Sequence, residues 1–428
     1  MNLIYEKGRV RLYYVPADKF KTETISISFC APLTQAHAYK NALIPMILNR
    51  GSKTYPTTGE ITKRLMGLYG AGFGVDIDKR GEIQLLQFQS DYIASAYAQH
   101  CPDIETQIGQ FLVDVMTRPV EAETGGFLPA YFEQERTNTD QFIRSEINDK
   151  QSYAMRRCTE IMCGGEPFGV SEIGTLGDGD LLTPQSLFDH YQNDFLGNMP
   201  VRIFCCGEKE PTALIRTLEE NGILTSGSVP PALDMGYKAV PSCDLREVTE
   251  RAEVQQGKLN FGFRTNTKPD APDYAALSVM GTIFGGGPQS KLFMNVREKH
   301  SLAYYASCRL ERYKGLLFVT SGIDVANKDR AQQLIFAQLE DIQQGHISEA
   351  ELDGAKAMLI SSLQSLPDTQ FSLMNYYIGQ SFLAHITDVD DYVRQIQDVT
   401  KEDVVRVAQR IVPDTVYFLT SKEGVTRG

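Results

Sequence analysis

At 428 residues and 42% hydrophobic content, the chain can bury more than one sizeable core, and about two to three domains are expected. A formal charge of −12 and an isoelectric point near 5.1 exclude nucleic acid and anionic membrane as partners of its average surface. The opening MNLIYEKGRVRLYYV has no basic-then-apolar leader, no run approaches about 18 apolar residues, and the eight cysteines lack C-x-x-C spacing, so a reduced, cytoplasmic protein is expected.

Taken in chain order, the elements occur twice. Ile25, Ile27 and Phe29 alternate as one face of a strand, and 234 residues later Leu259, Phe261 and Phe263 do the same. Ala42, Leu43 and Met46 have helical spacing and meet Ala276, Leu277 and Met280. Gly51 then meets Gly285 where each helix ends, a place for glycine in a left-handed backbone. Gly81 and Gly315 each separate two strand-like runs, FGVDID from IQLLQFQ and YYASCRL from LLFVTSG. The register needs no gap from about residue 24 to residue 88.

Beyond that point the order of elements persists while the spacing shifts. The stripe Ile104, Ile108, Phe111, Leu112 and Val115 has its counterpart in Ala331, Leu334, Ile335, Leu339 and Ile342. A long helical stretch follows in each half, over 127–161 and 348–384. The first half adds helix 184–194, strand VRIFCCG and helix 210–221, and the second closes with helix 401–411 and strand TVYFLT. The aperiodic SGSVPPALDMGYKAVPS between them is rich in Pro, Gly and Ser. The organisation expected is an N-terminal lobe over 1–225, a linker over 226–242 and a C-terminal lobe over 243–428. Each lobe is α+β, a mainly antiparallel sheet flanked by helices, and the two homologous lobes face each other as a clamshell with a ligand cleft between them.

Several motifs fail on inspection. Gly70, Gly72 and Gly74 follow a helix and lead into a strand, the reverse of a dinucleotide loop, and suit a tight turn. The run Gly285 to Lys291 lacks the G-K-[ST] ending of a phosphate loop. None of the six histidines has a second His at metal-ligand spacing, so each is read as a surface or hydrogen-bonded side chain. No serine elbow or cysteine-nucleophile signature is present.

The segment GGGPQSKLFMNVREKHSLAYYASCRLERYKGLLFVTSG, from Gly285 onward, resembles the second-half signature of the insulinase-like (pitrilysin-type) zinc peptidases. Its features are a glycine cluster, Ser290-Lys291-Leu292-Phe293, Arg297-Glu298-Lys299, Leu302-Ala303-Tyr304, and a glycine before the last strand. The resemblance, which covers nearly the whole chain, implies that catalytic relatives carry H-x-x-E-H on a first-half helix, two His and a later Glu holding zinc. Aligned on Met46 and Arg50-Gly51-Ser52, that pentad falls on Asn41 to Pro45, so Asn41, Ile44 and Pro45 occupy its functional positions. Asn41 is a feeble zinc ligand, Ile44 carries no proton, and Pro45 offers no lone pair. If Glu135 matches the family's first later glutamate, the third ligand position is Phe142, and a shift of a few residues in the alignment brings Glu146 nearer instead; Glu133, Glu135 and Glu146 read as a solvated helix face.

The resemblance also implies that an Arg and a Tyr seven residues apart bind the substrate backbone, here Arg297 and Tyr304, whose fork of donors and phenol suit peptide carbonyls. Their first-half counterparts are Lys63 and Gly70. The expectation is a non-catalytic subunit without a cofactor, binding a peptide or unfolded polypeptide and pairing with a zinc-bearing paralogue. The likeness extends to a bacterial member associated with 5-aminopentanol modification of elongation factor P. A scaffold without a role in proteolysis is the alternative, and an independent hydrolase a third reading that no motif supports.

Overall fold

The computed structural model describes residues 1–222 and 233–421, so residues 226–232 of the expected linker lie outside the described residues. Among the described residues there are eleven strands: β1 (Asn2–Lys7), β2 (Val10–Pro16), β3 (Thr22–Pro32), β4 (Gly72–Arg80), β5 (Ile83–Ile93), β6 (Val201–Gly207), β7 (Arg246–Ala252), β8 (Gly257–Arg264), β9 (Ala303–Glu311), β10 (Leu316–Ile323) and β11 (Val412–Ser421). The first-half helices are α1 (Gln35–Leu48), α2 (Thr58–Gly67), α3 (Ile104–Thr117), α4 (Pro129–Ser145), α5 (Lys150–Met162), α6 (Pro184–His190) and α7 (Thr212–Asn221). Those of the second half are α8 (Tyr274–Gly285), α9 (Lys328–Gln343), α10 (Glu349–Gln364), α11 (Gln370–Gln380), α12 (Val389–Asp398) and α13 (Lys401–Ala408). The sequence reading missed β1, β2 and β7, short strands without a strict alternation to mark them.

The strands form two sheets, ordered β1-β2-β6-β3-β5-β4 and β7-β11-β8-β10-β9. With the extra edge strand β1 set aside, the two orders are the same. Each sheet has one parallel pair, β2/β6 and β7/β11, and is otherwise antiparallel. The α+β class with a mainly antiparallel sheet in each half is therefore what folds. Ile25, Ile27 and Phe29 enter one core and Leu259, Phe261 and Phe263 the other, as their period of two requires.

Two details of the repeat differ from expectation. Ile27 pairs with Phe88, but Phe261 pairs with Val319 rather than Gly322, so the constant offset is lost by three residues across the hairpins. Gly81 and Gly315 do adopt positive φ, 55° and 63°, in those hairpins. Gly51 and Gly285 do not adopt positive φ. Their requirement is space: a Cβ on Gly51 would lie 2.3 Å from the Pro56 carbonyl oxygen, and one on Gly285 2.6 Å from the Cys308 backbone nitrogen.

The chain divides into two compact units that cut across the expected lobes. Unit 1 comprises 1–144, 170–234 and 367–382; unit 2 comprises 145–169, 235–366 and 383–428. The cause is a break within each long helical stretch. After α4, residues 146–148 form a 3-10 turn and the Asp149 side chain caps α5 by accepting from the Gln151 and Ser152 amides. After α10, residues 366–368 turn likewise and Thr369 caps α11 by accepting from the Ser372 amide. Helix α5 packs on β8 and β11 of unit 2, and α11 on β3 and β6 of unit 1. Each half thus lends one helix to the sheet of the other half.

Helix α11 explains why Thr24, Ser26 and Ser28, the polar face of β3, are buried rather than solvated. The Gln370 amide donates to the Thr22 and Cys206 carbonyls at 2.7 and 3.1 Å and accepts from the Thr22 hydroxyl at 2.8 Å. In unit 2 the chain after α5 is held by charge. Glu166 takes Arg264 and Lys314, each at 2.8 Å, and Arg264 also reaches Asp414 at 2.9 Å. Arg264, Lys314 and Asp414 are all buried. Burial raises the Glu166 and Asp414 pKa values, but the hydrogen bonds from their basic partners outweigh it and hold both below the ordinary carboxylate range.

Candidate functional site

In unit 1, helix α1 carries the positions aligned with the zinc pentad. Pro45 sits inside it and has no N–H for the carbonyl of Asn41, one turn earlier. Ile44 is fully buried in the apolar core. Asn41, also buried, is committed to other polar groups. Its Nδ2 donates to Gln84 Oε1 at 2.9 Å, while its Oδ1 lies 2.7 Å from His190 Nε2. Gln84 is fixed in turn by donating to the Ala38 carbonyl at 2.9 Å, and His190 Nδ1 lies 2.6 Å from Asp194 Oδ2. Burial and the nearby Lys40 push the His190 pKa below the ordinary imidazole value against the pull of Asp194. A hydrogen-bonded chain thus runs from Asp194 through His190 and Asn41 to Gln84.

The remaining members of the degenerate set are dispersed. Phe142, on α4, is 59% exposed and offers a ring with no metal-binding atom. Glu135 is 8% exposed, lies 3.6 Å from Arg50 and accepts a hydrogen bond from Asn138, which corrects the reading of it as solvated. Glu133 pairs at 2.7 Å with Arg136, one turn on, and Glu146 with Arg156 at 3.3 Å. Among the described residues no group of three or more His, Cys, Asp or Glu could hold a metal ion. Asn41, Ile44, Pro45 and Phe142 do not fit zinc on donor chemistry alone. Sequence reasoning missed His190 and Gln84 because no local spacing links residues so far apart to Asn41.

In unit 2, a π-helical segment over Leu292–Lys299 ends just before β9. Arg297 lies in its last turn and Tyr304 is the second residue of the strand. Ser301, at φ 50°, makes the bend between them, its amide bonding the Arg297 carbonyl at 3.0 Å. The guanidinium lies 4.6 Å from the Phe293 ring centre and 3.5 Å from Glu298. Tyr304 is 63% exposed. Both line a depression of about 440 Å3 together with Glu298, Ser301, Asp324 and Asn327. Donors of two kinds are therefore displayed in one concavity beside the edge strand β9. The counterpart Lys63 is on α2, and Gly70, at φ 71°, has no side chain to offer.

The family profile described as "Peptidase M16 inactive domain" matches residues 182–359. The chain is 32% identical, over 98% of its own length and 97% of the other's, to a protein of Bacillus subtilis named "Probable inactive metalloprotease YmfF". A crystal structure of a conserved protein from Enterococcus faecalis, 28% identical, superposes with a TM-score of 0.91 over 98% of both chains. At 16% identity, the structure of a "peptidase M16 inactive domain" from Pseudomonas fluorescens superposes with a TM-score of 0.78 over 100% of both chains and shares the fold. No helix among the described residues is long and apolar enough to cross a membrane.

Proposed function

We propose, starting from the fact that this chain belongs to the peptidase M16 family, that it is the substrate-binding, non-catalytic subunit of a two-subunit zinc peptidase. Its partner in this reading is a zinc-bearing paralogue, its ligand a peptide or unfolded polypeptide, and its compartment the cytoplasm. The observation that supports this is a contrast within one chain. The positions aligned with the metal pentad are occupied by Asn41, Ile44 and Pro45, with Asn41 locked into hydrogen bonds to Gln84 and His190, whereas Arg297 and Tyr304 stand at one open depression with their donors on display. A guanidinium fork and a phenol can hold successive carbonyls of an extended peptide while the paralogue supplies the metal and the base. A role in 5-aminopentanol modification of elongation factor P is a further expectation carried by the sequence resemblance alone.

Mixing decides the matter. The purified chain is expected to be inactive and to hold no stoichiometric zinc after dialysis, with peptidase activity appearing when the zinc-bearing paralogue is added. In the assembled complex Arg297→Ala is expected to lower kcat/KM by roughly ten- to a thousandfold, the effect of losing one or two hydrogen bonds to the transition state. Assembly, followed by co-elution, is expected to survive. Unchanged activity in a fully assembled Arg297→Ala complex would leave a scaffold role in place of substrate binding.

A further inference from the structure

A second concavity, of about 280 Å3, lies among α2, α3 and α7 in unit 1 and shares no lining residue with the sites above. Thr54, Tyr55, Arg64, Gln110, Arg118 and Asn221 line it, with Asp114 in the wall. Asp114 is fully engaged. Ser52 donates to one of its oxygens at 2.5 Å, and Thr54 and Arg118 donate to the other at 2.8 and 3.1 Å. Arg64 has no such partner. Its Nη2 donates to Gln107 Oε1 at 2.9 Å, its Nε is closed off from solvent without a hydrogen bond, and no ion pair reaches it among the described residues. Two arginines and one carboxylate thus line the concavity, in a chain whose overall charge is −12.

Arg64 stands in the last turn of α2 and Arg118 caps α3, and the carbonyl ends of helices favour a cation at each place. That preference accounts for positive charge there, but it supplies no acceptor for the donor faces left over. The Tyr55 hydroxyl and the amides of Gln110 and Asn221 add donors that bond to no other described residue. A concavity with surplus donors and surplus positive charge calls for an acceptor-rich anion, and arginine forks match a tetrahedral oxyanion better than a halide.

We propose that this concavity binds a small oxyanion of the phosphate class, gripped by Arg64 and Arg118. The phosphoryl group can come from free phosphate or from a small phosphate monoester, since both present the same oxygens to the arginines.

Titration of the full-length chain with inorganic phosphate and, separately, with glycerol phosphate tests this, read by calorimetry and by phosphorus NMR line broadening at low ionic strength. One saturable site per chain is expected. Arg64→Gln is expected to weaken binding by about tenfold or more, as is Arg118→Gln, while Arg11→Gln, at a surface ion pair with Glu6, leaves it unchanged. Tighter binding of the ester would assign the ligand as a phosphate monoester, and equal binding would assign free phosphate; both support the site. Because Arg118 also supports Asp114, Arg64→Gln is the decisive variant, with circular dichroism confirming its fold. Absence of saturable binding up to about 10 mM of either compound, or equal binding by wild type and folded Arg64→Gln, would overturn the proposal.

Discussion

Asn41 is a polar side chain built into the interior of unit 1. Its amide bridges Gln84 and His190, so Asn41→Ala would take from Gln84 Oε1 and His190 Nε2 the partner each has in Asn41, in a buried setting. The expected cost is about 1–3 kcal/mol, the penalty for stranding buried polar groups, and denaturant unfolding would measure it. An unchanged midpoint would show that the network contributes nothing. Rebuilding the pentad by Asn41→His, Ile44→Glu and Pro45→His is expected not to restore tight zinc binding, because Phe142 gives no third ligand. Metal analysis of the triple variant checks that. At this scale the sequence was readable wherever chemistry is absent: isoleucine, proline and phenylalanine cannot bind zinc in any fold. It was silent on the partners of Asn41, since Gln84 and His190 are distant in the chain, and it misjudged Glu135, because a polar residue on a helix reveals its burial only through its neighbours.

Among the elements, the strands were legible where apolar residues alternate strictly, as at Ile25, Ile27 and Phe29. The two long helical stretches were not. Continuous helical periodicity hid the breaks at 146–149 and 366–369, although Pro367 and the caps Asp149 and Thr369 are the residues that make the second break and start the new helices. Two predictions belong here. Gly51→Ala should destabilise unit 1 by more than about 1 kcal/mol, because its Cβ would collide with rigid backbone at Pro56. A Tm equal to wild type would refute it. The second concerns acid. The Glu166 and Asp414 carboxyls are held below their ordinary values in the fold, so the stability they confer is fully present above about pH 4, the ordinary carboxylate value, and is lost as pH falls through their depressed values. Glu166→Gln should flatten that acid limb in near-ultraviolet circular dichroism; an unaltered limb would assign the acid transition to other groups.

For the whole molecule, composition and the repeat were enough to indicate two related α+β bodies. They did not reveal which segment belongs to which body, because that depends on contacts made after folding. Residues 1–225 lack the helix that covers the polar face of β3, and residues 243–428 lack the one that packs on β8 and β11. Expressed apart, each half should remain poorly folded, and mixing should restore native secondary structure and cooperative melting; a well-folded isolated half would contradict this. The swap of α5 and α11 also bears on ancestry. A gene encoding a single repeat would make a chain whose sheet is covered only by the helix of another copy, an obligate twofold dimer, and joining two such genes end to end would fix the swap inside one polypeptide. From then on the two copies could diverge in sequence without losing each other.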